Sequence, residues 1–282
     1  MTISSPKIAK IELGGERSLL FKVPIQQSGD YPTCRLQKGA VLVAGNQELV
    51  EEGLGFGVPL LKFGDREVFP GGANTSFDVP QKGTSIVVDY DLNVVKRLTR
   101  RGRKIESRTI YRLEAFFGRL HRDIPWLRDS GGRLFDYIRH FFGIKSVFEK
   151  DVSVGNIRVV YSVPPLGTPI HIAVNLSEVK RKGLTEIIIS NEQGASYFVD
   201  YREPERARLS GKGIGTWDEV NSEWAAFVDS GNNIVFTVKK INNARLFRGR
   251  EFTPGVLALS GLNYVLPPDA TVFDYDIELG IV

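Results

Sequence analysis

Cysteine occurs once in the 282 residues, at Cys34. An intrachain disulfide is therefore excluded. Nothing in YPTCRLQKG supplies a base that would activate the thiol, so Cys34 reads as a half-buried strand-end residue. Histidine is scarce too, with His121, His140 and His171 dispersed along the chain. That spacing makes no metal site. No apolar run approaches the roughly 20 residues a membrane helix needs, so no membrane span is expected. The opening MTISSPKIAK lacks a basic segment followed by an apolar core. With one cysteine, the expectation is a cytoplasmic protein without a secretory signal. Dinucleotide and phosphate-loop fingerprints are missing as well, and no cofactor is expected.

Net charge is only +4, but it is unevenly spread. Residues 96–145 hold 14 Lys/Arg against 5 Asp/Glu, so the remainder of the chain is net acidic. This basic segment interleaves arginines with Phe116, Phe117, Trp126, Phe141 and Phe142. Such a surface attracts nucleic acid or another acidic partner. The aromatics recur at helical spacing, however, which suits packing on a sheet with the arginines facing water. A nucleic-acid role therefore ranks third here.

What is abundant is period-two alternation. KIAKIEL and SLLFKV flank Gly14-Gly15, a hairpin signal. GAVLVAG, VPLLKFGDREVF and TSFDV follow. SIVVDYDLNVVKRL and KIESRTIYRL then enclose TRRGR, whose Gly102 predicts a hairpin tip carrying arginines. NIRVVYSV, TPIHIAVNL, TEIIIS, ASYFVDYRE, EWAAFVD, NNIVFTVKK, ARLFRGREF, GVLALSG and TVFDYDIEL complete the series. Breakers recur every 8 to 15 residues or so, as in sheets of short antiparallel strands. Only 113–143 changes to period 3.6, interrupted by Pro125 and Gly131-Gly132, and two short helices are expected there. The prediction is an all-β, mainly antiparallel fold. It is a large β-sandwich or supersandwich, one domain over 1–282 with a helical insertion at about 113–143.

Three places carry candidate chemistry. GKGIGTWDEVNSEW (211–224) has the glycines of a phosphate cradle but lacks the Lys-Ser/Thr ending, and it runs into a strand, so that reading is rejected. Trp217 and Trp224 offer flat faces to a sugar, with Asp218, Glu219, Asn221 and Glu223 as hydroxyl partners. Alternatively both tryptophans are core and the acids cap a turn. In TPIHIAVNLS, alternation puts His171 and Asn175 on the more polar face, where a proton carrier is useful. The glycine-rich stretch 53–78 reads as a loop, and its Asn74 is a further ligand candidate.

Thr168-Pro169, His171 and Asn175-Leu176 resemble a Thr-Pro strand leading to Asn-His-x-Tyr-x-Asn-Leu in the galactose mutarotase family. Here the spacing is shorter and the Asn-His pair is absent. Strand density and a mid-chain helical excursion are also similar to that family. The resemblance implies a β-supersandwich and a carbohydrate ligand. It implies a catalytic glutamate near the C-terminus, for which Glu251 and Glu278 are the counterparts. The expectation is a carbohydrate-binding or carbohydrate-processing protein. His171 and Glu251 would carry any acid/base chemistry, and Trp217, Trp224, Asn175 and Asn74 would bind the sugar. The alternative is a non-catalytic interaction protein that uses residues 96–145 to hold an acidic partner.

Overall fold

The computed structural model describes residues 7–14, 17–23, 36–51, 54–78, 83–100, 103–104, 144–164, 169–204, 206–209, 217–253 and 257–282. Regular structure among them is β throughout. A four-stranded sheet comprises β1 (Lys7–Gly14), β2 (Arg17–Val23), β3 (Val41–Ala44) and β4 (Gln47–Glu48). The second sheet has sixteen strands. Its first half in sequence is β5 (Gly55–Phe63), β6 (Arg66–Asp78), β7 (Thr84–Arg100), β8 (Arg103–Lys104), β9 (Ile144–Lys150), β10 (Asn156–Val163), β11 (Ile170–Asn175) and β12 (Glu186–Gly194). The rest are β13 (Asp200–Glu203), β14 (Arg206–Leu209), β15 (Asp218–Glu219), β16 (Trp224–Asp229), β17 (Ile234–Lys239), β18 (Arg245–Thr253), β19 (Leu257–Leu266) and β20 (Val272–Ile281). Their order is β14-β13-β16-β17-β20-β11-β10-β7-β6-β5-β12-β19-β18-β15, with β8 and β9 both paired to β7. Every ladder is antiparallel.

Alternation along each strand decides which face is buried. In β10, Ile157, Val159, Tyr161 and Val163 point into the core while Asn156, Arg158 and Ser162 stay exposed. In β20, Phe273, Tyr275, Ile277 and Leu279 are buried between outward Asp274, Asp276 and Glu278. Each fully buried large side chain contributes roughly 1.5–3 kcal/mol, so this pattern sets the register strongly. The long sheet folds over on itself. Phe56 of β5 meets Phe236 of β17 at 5.3 Å between ring centroids, and Tyr264 of β19 meets Tyr275 of β20 at 4.9 Å. Phe21 of the smaller sheet joins the same cluster, edge-on to Tyr161 at 5.5 Å. At the seam, Arg248 of β18 pairs with Glu203 of β13 and lies 4.8 Å over the Tyr201 ring. The two ends of the sheet are thereby tied together.

Three buried phenols of this core are hydrogen-bonded. Tyr161 Oη donates to the Phe56 carbonyl at 2.7 Å and lies 3.3 Å from Tyr90 Oη. Tyr275 Oη donates to Asn191 Oδ1 at 2.6 Å, beside the irregularity at Ser190/Asn191 where β12 shifts register against β5. Asn191 Oδ1 also accepts from the Gly57 amide at 3.2 Å. Gly57 has φ +74°, and a Cβ there would fall 2.9 Å from Tyr161 Oη. Only glycine fits both constraints. Burial holds all three phenols above their ordinary value.

The hairpin around Gly14-Gly15 is present as β1–β2, and the arginine hairpin as β7–β8, with Arg100 opposite Arg103. The turn residues 101–102, the expected helices at 113–143, Cys34 and Thr168 lie outside the described residues. One expectation is corrected. The stretch 53–78 is not a loop but chiefly the β5–β6 hairpin, and Asn74 sits on a strand. Its glycines serve bulges and close approaches within the sheet, such as Gly71 beside Asn93.

Candidate functional site

Because the inward residues of β6, β7, β10 and β11 build the core, their outward residues form a second, polar surface. The register lines these up. Asn74 is the Cα partner of Asp89, Asp89 of Arg158, and Arg158 of Asn175. One row thus crosses four strands, about 14 Å at the usual 4.8 Å strand spacing. Beside it runs a second row, Gly72, Asp91 and Asn156. Together these rows floor an open hollow of about 560 Å³, and Ser177 and Glu178 after β11 close its rim.

Several contacts pre-arrange the lining. Arg158 donates through Nε and Nη2 to the two Asp89 carboxylate oxygens at 2.7 and 3.3 Å. The carboxylate raises the guanidinium pKa further above its ordinary value. Asn175 Oδ1 accepts from the Ser177 amide at 3.0 Å and hydroxyl at 2.7 Å. The amide's Nδ2 donors are then what Asn175 can offer a ligand. Asn93 Nδ2 donates to Asp91 Oδ2 at 2.5 Å, whereas Asp91 Oδ1 and Asn93 Oδ1 are buried with no hydrogen-bond partner. The rim is held by Gly155, at φ +142°, where a Cβ would fall 2.4 Å from the Glu178 carbonyl oxygen. Only a bare backbone lets the loop carrying Glu178 pack so closely.

The residues singled out from sequence fall into three places. Asn74 and Asn175 both line the hollow, at opposite ends of the row. His171 is exposed on the same outer face of β11, as alternation requires, but four residues from Asn175, about 13 Å along the strand. Its Nδ1 lies 2.9 Å from Asp276 Oδ1 on β20. Trp224 is half-buried on β16 opposite Lys239, whose Nζ pairs with Glu278 at 2.6 Å, and β17 and β20 separate it from β11. Trp217 lies elsewhere. It has φ +54°, and its ring covers Gly249 and Gly261, facing partners of β18 and β19. A Cβ on either glycine would come within 2.7 or 3.1 Å of that ring. Neither tryptophan lines the hollow, nor does His171. Glu251 sits on β18 opposite Leu259, seven strands from β11 along the sheet, and its side chain is outside the described residues.

Asp89, Asp91, Asn156 and Arg158 were not singled out from sequence. Alternation in VVDYDLN and NIRVV does put them outward, but only the strand pairing brings them together. Among the described residues, no group of three or more His, Cys, Asp or Glu side chains is placed to hold a metal ion. No described helix is long and apolar enough to cross a membrane.

Comparison with known proteins found no family model that matches the chain and no matching curated protein. Among solved structures, the chain is similar to one titled "Crystal Structure Analysis of HI1317". The alignment covers 93% of this chain and 92% of that one, with 8% identity and a TM-score of 0.36. A likeness this distant carries no argument about function.

Proposed function

We propose that this chain is a carbohydrate-binding protein of mutarotase-like supersandwich type, with the hollow over β6, β7, β10 and β11 as its sugar site. The observation that carries the reading is the row Asn74–Asp89–Arg158–Asn175 flooring a hollow of about 560 Å³. That volume lies within the usual range for small-ligand pockets. Each sugar hydroxyl both donates and accepts, and amides beside carboxylates and a guanidinium answer both roles from a fixed floor. Three carboxylates against one guanidinium make the lining net negative, which favours an uncharged or cationic ligand over a phosphosugar.

Acid/base chemistry would fall to His171 with Asp276 behind it. It would need a ligand long enough to run along β11 from the hollow. The hollow by itself supports recognition rather than reaction.

Titration calorimetry with a panel of neutral mono- and disaccharides tests the reading. At least one sugar should bind. Asn74→Ala and Asn175→Ala should each weaken it by about tenfold, the equivalent of one hydrogen bond of roughly 1.4 kcal/mol. Unchanged melting temperatures would show that the loss is local. Failure of every sugar to bind the wild type sinks the proposal.

A further inference from the structure

We infer that the ligand of this hollow carries a primary ammonium group beside its hydroxyls, as an amino sugar does, and that Asp91 receives it. The inference rests on the carbohydrate reading above and narrows it. Among the described residues the hollow has three carboxylates and one guanidinium, Arg158, with which Asp89 is already paired in two hydrogen bonds. Asp91 and Glu178 are left as the excess negative charge. Asp91 is engaged on one oxygen only, by Asn93 Nδ2, and its Oδ1 is buried without any partner.

Asn93 supplies a second, independent observation. It is only 6% exposed, and its Oδ1 also lacks a partner. The anionic Asp91 thus keeps an unsatisfied oxygen at the wall of the hollow, and the buried Asn93 bonded to it behind that wall keeps another. Buried acceptors without donors are rare, because each has given up water for nothing.

A ligand ammonium supplies what is missing. It brings three donors and one positive charge, and charge-assisted bonds to a carboxylate are the stronger kind. To meet it, the Asp91 carboxylate turns about Cβ–Cγ, a broad torsion with little rotamer preference. Gly72 leaves room at that point, since a Cβ there would have no neighbour within 4 Å. Asn74, Asn156 and the Nδ2 of Asn175 remain for the ring hydroxyls. A metal ion is the other species that collects oxygens, but the described carboxylates are not grouped to hold one.

The test is calorimetric titration of wild type and Asp91→Asn with glucose, glucosamine, N-acetylglucosamine and putrescine. Wild type should bind glucosamine about tenfold or more tightly than glucose or N-acetylglucosamine, the usual worth of one charge-assisted bond. Asp91→Asn should lose that preference while still binding glucose. Equal affinity of wild type for glucose and glucosamine, or an unchanged preference in Asp91→Asn, overturns the inference and leaves the carbohydrate reading standing. Putrescine binding as tightly as glucosamine also overturns it, since a bare diamine has no hydroxyls. No binding of any sugar overturns both readings. Should Asp91→Asn fail to fold, Glu178→Gln on the rim takes its place. It should lower the ratio of glucosamine to glucose affinity severalfold, and an unchanged or higher ratio overturns the inference.

Discussion

Raising the pH past 10 tests the core directly. Tyr90, Tyr161, Tyr201, Tyr264 and Tyr275 are all buried, at 3% exposure or less. Their phenols are all pushed up from the ordinary value of 10.0, with burial as the first cause. In the unfolded chain the same phenols ionise near that ordinary value. Above pH 10 the unfolded state therefore binds fewer protons than the folded one. Stability is present in full below pH 10 and is lost as the pH climbs. Each group contributes about 1.36 kcal/mol per pH unit, so five together give a slope near 7 kcal/mol per unit. Domain stabilities are typically about 5–15 kcal/mol, so unfolding should be complete within about two units above pH 10. Tyrosinate absorbance and far-UV circular dichroism, followed on the same samples, read both events. A cooperative rise in tyrosinate should coincide with loss of the β signal. Tyr275→Phe removes one proton from the slope. At neutral pH it costs about 1 kcal/mol, through the lost bond to Asn191. Smooth ionisation of every tyrosine near pH 10 with the sheet intact would refute the buried placement.

The other expectations concern the seam and the site. Arg248→Met should destabilise by about 3–5 kcal/mol, because it breaks the buried pair with Glu203 and removes the guanidinium lying over the Tyr201 ring. Adding Glu203→Gln should recover much of that loss in a denaturant titration. Gly155→Ala should lower the melting temperature and weaken sugar binding together, since its Cβ displaces the rim that carries Glu178. Arg158→Ala should leave the melting temperature nearly unchanged, because its pair with Asp89 is exposed, while altering affinity at the hollow.

How much of this was legible depended on whether a feature is local. Strands such as NIRVVYSV and TVFDYDIEL show themselves because alternation is a property of consecutive residues. The outward placement of His171 and Asn175 follows from the same rule. Asn74 and Asn175 were chosen for separate reasons, one as a residue of a supposed loop and one as a neighbour of His171. That they share a hollow depends on β7 and β10 lying between their strands, and this order is not written in either segment. The shifts at Phe69/Pro70 and Pro70/Gly72 were hidden as well. There, Gly71, which reads as part of a loop, is needed because the Asn93 side chain comes where its Cβ would stand. Trp217 follows its own positive φ onto a floor of two glycines, a long-range packing choice that no local pattern announces.

The polar row is therefore a consequence of the core rather than a separate construction. β10 is pinned by Ile157, Val159 and Tyr161 on its inner face, and Tyr161 is further tied to the Phe56 carbonyl. A slip of one residue would bury Arg158 and expose Val159, at a cost far above anything the outer face could return. Once the inner set is placed, Asn156 and Arg158 have nowhere to go but the hollow, and the same holds for Asp89 and Asp91 against Val88, Tyr90 and Leu92. The outward side chains contribute little to that choice. Most of them can accordingly be exchanged without disturbing the register, which lets ligand preference change on an unchanged scaffold. Asp91 is the position where the two faces are least independent, because its partner Asn93 is buried at the bulge between β6 and β7. Substitution there should touch both stability and recognition, whereas substitution at Asn74 should touch recognition alone.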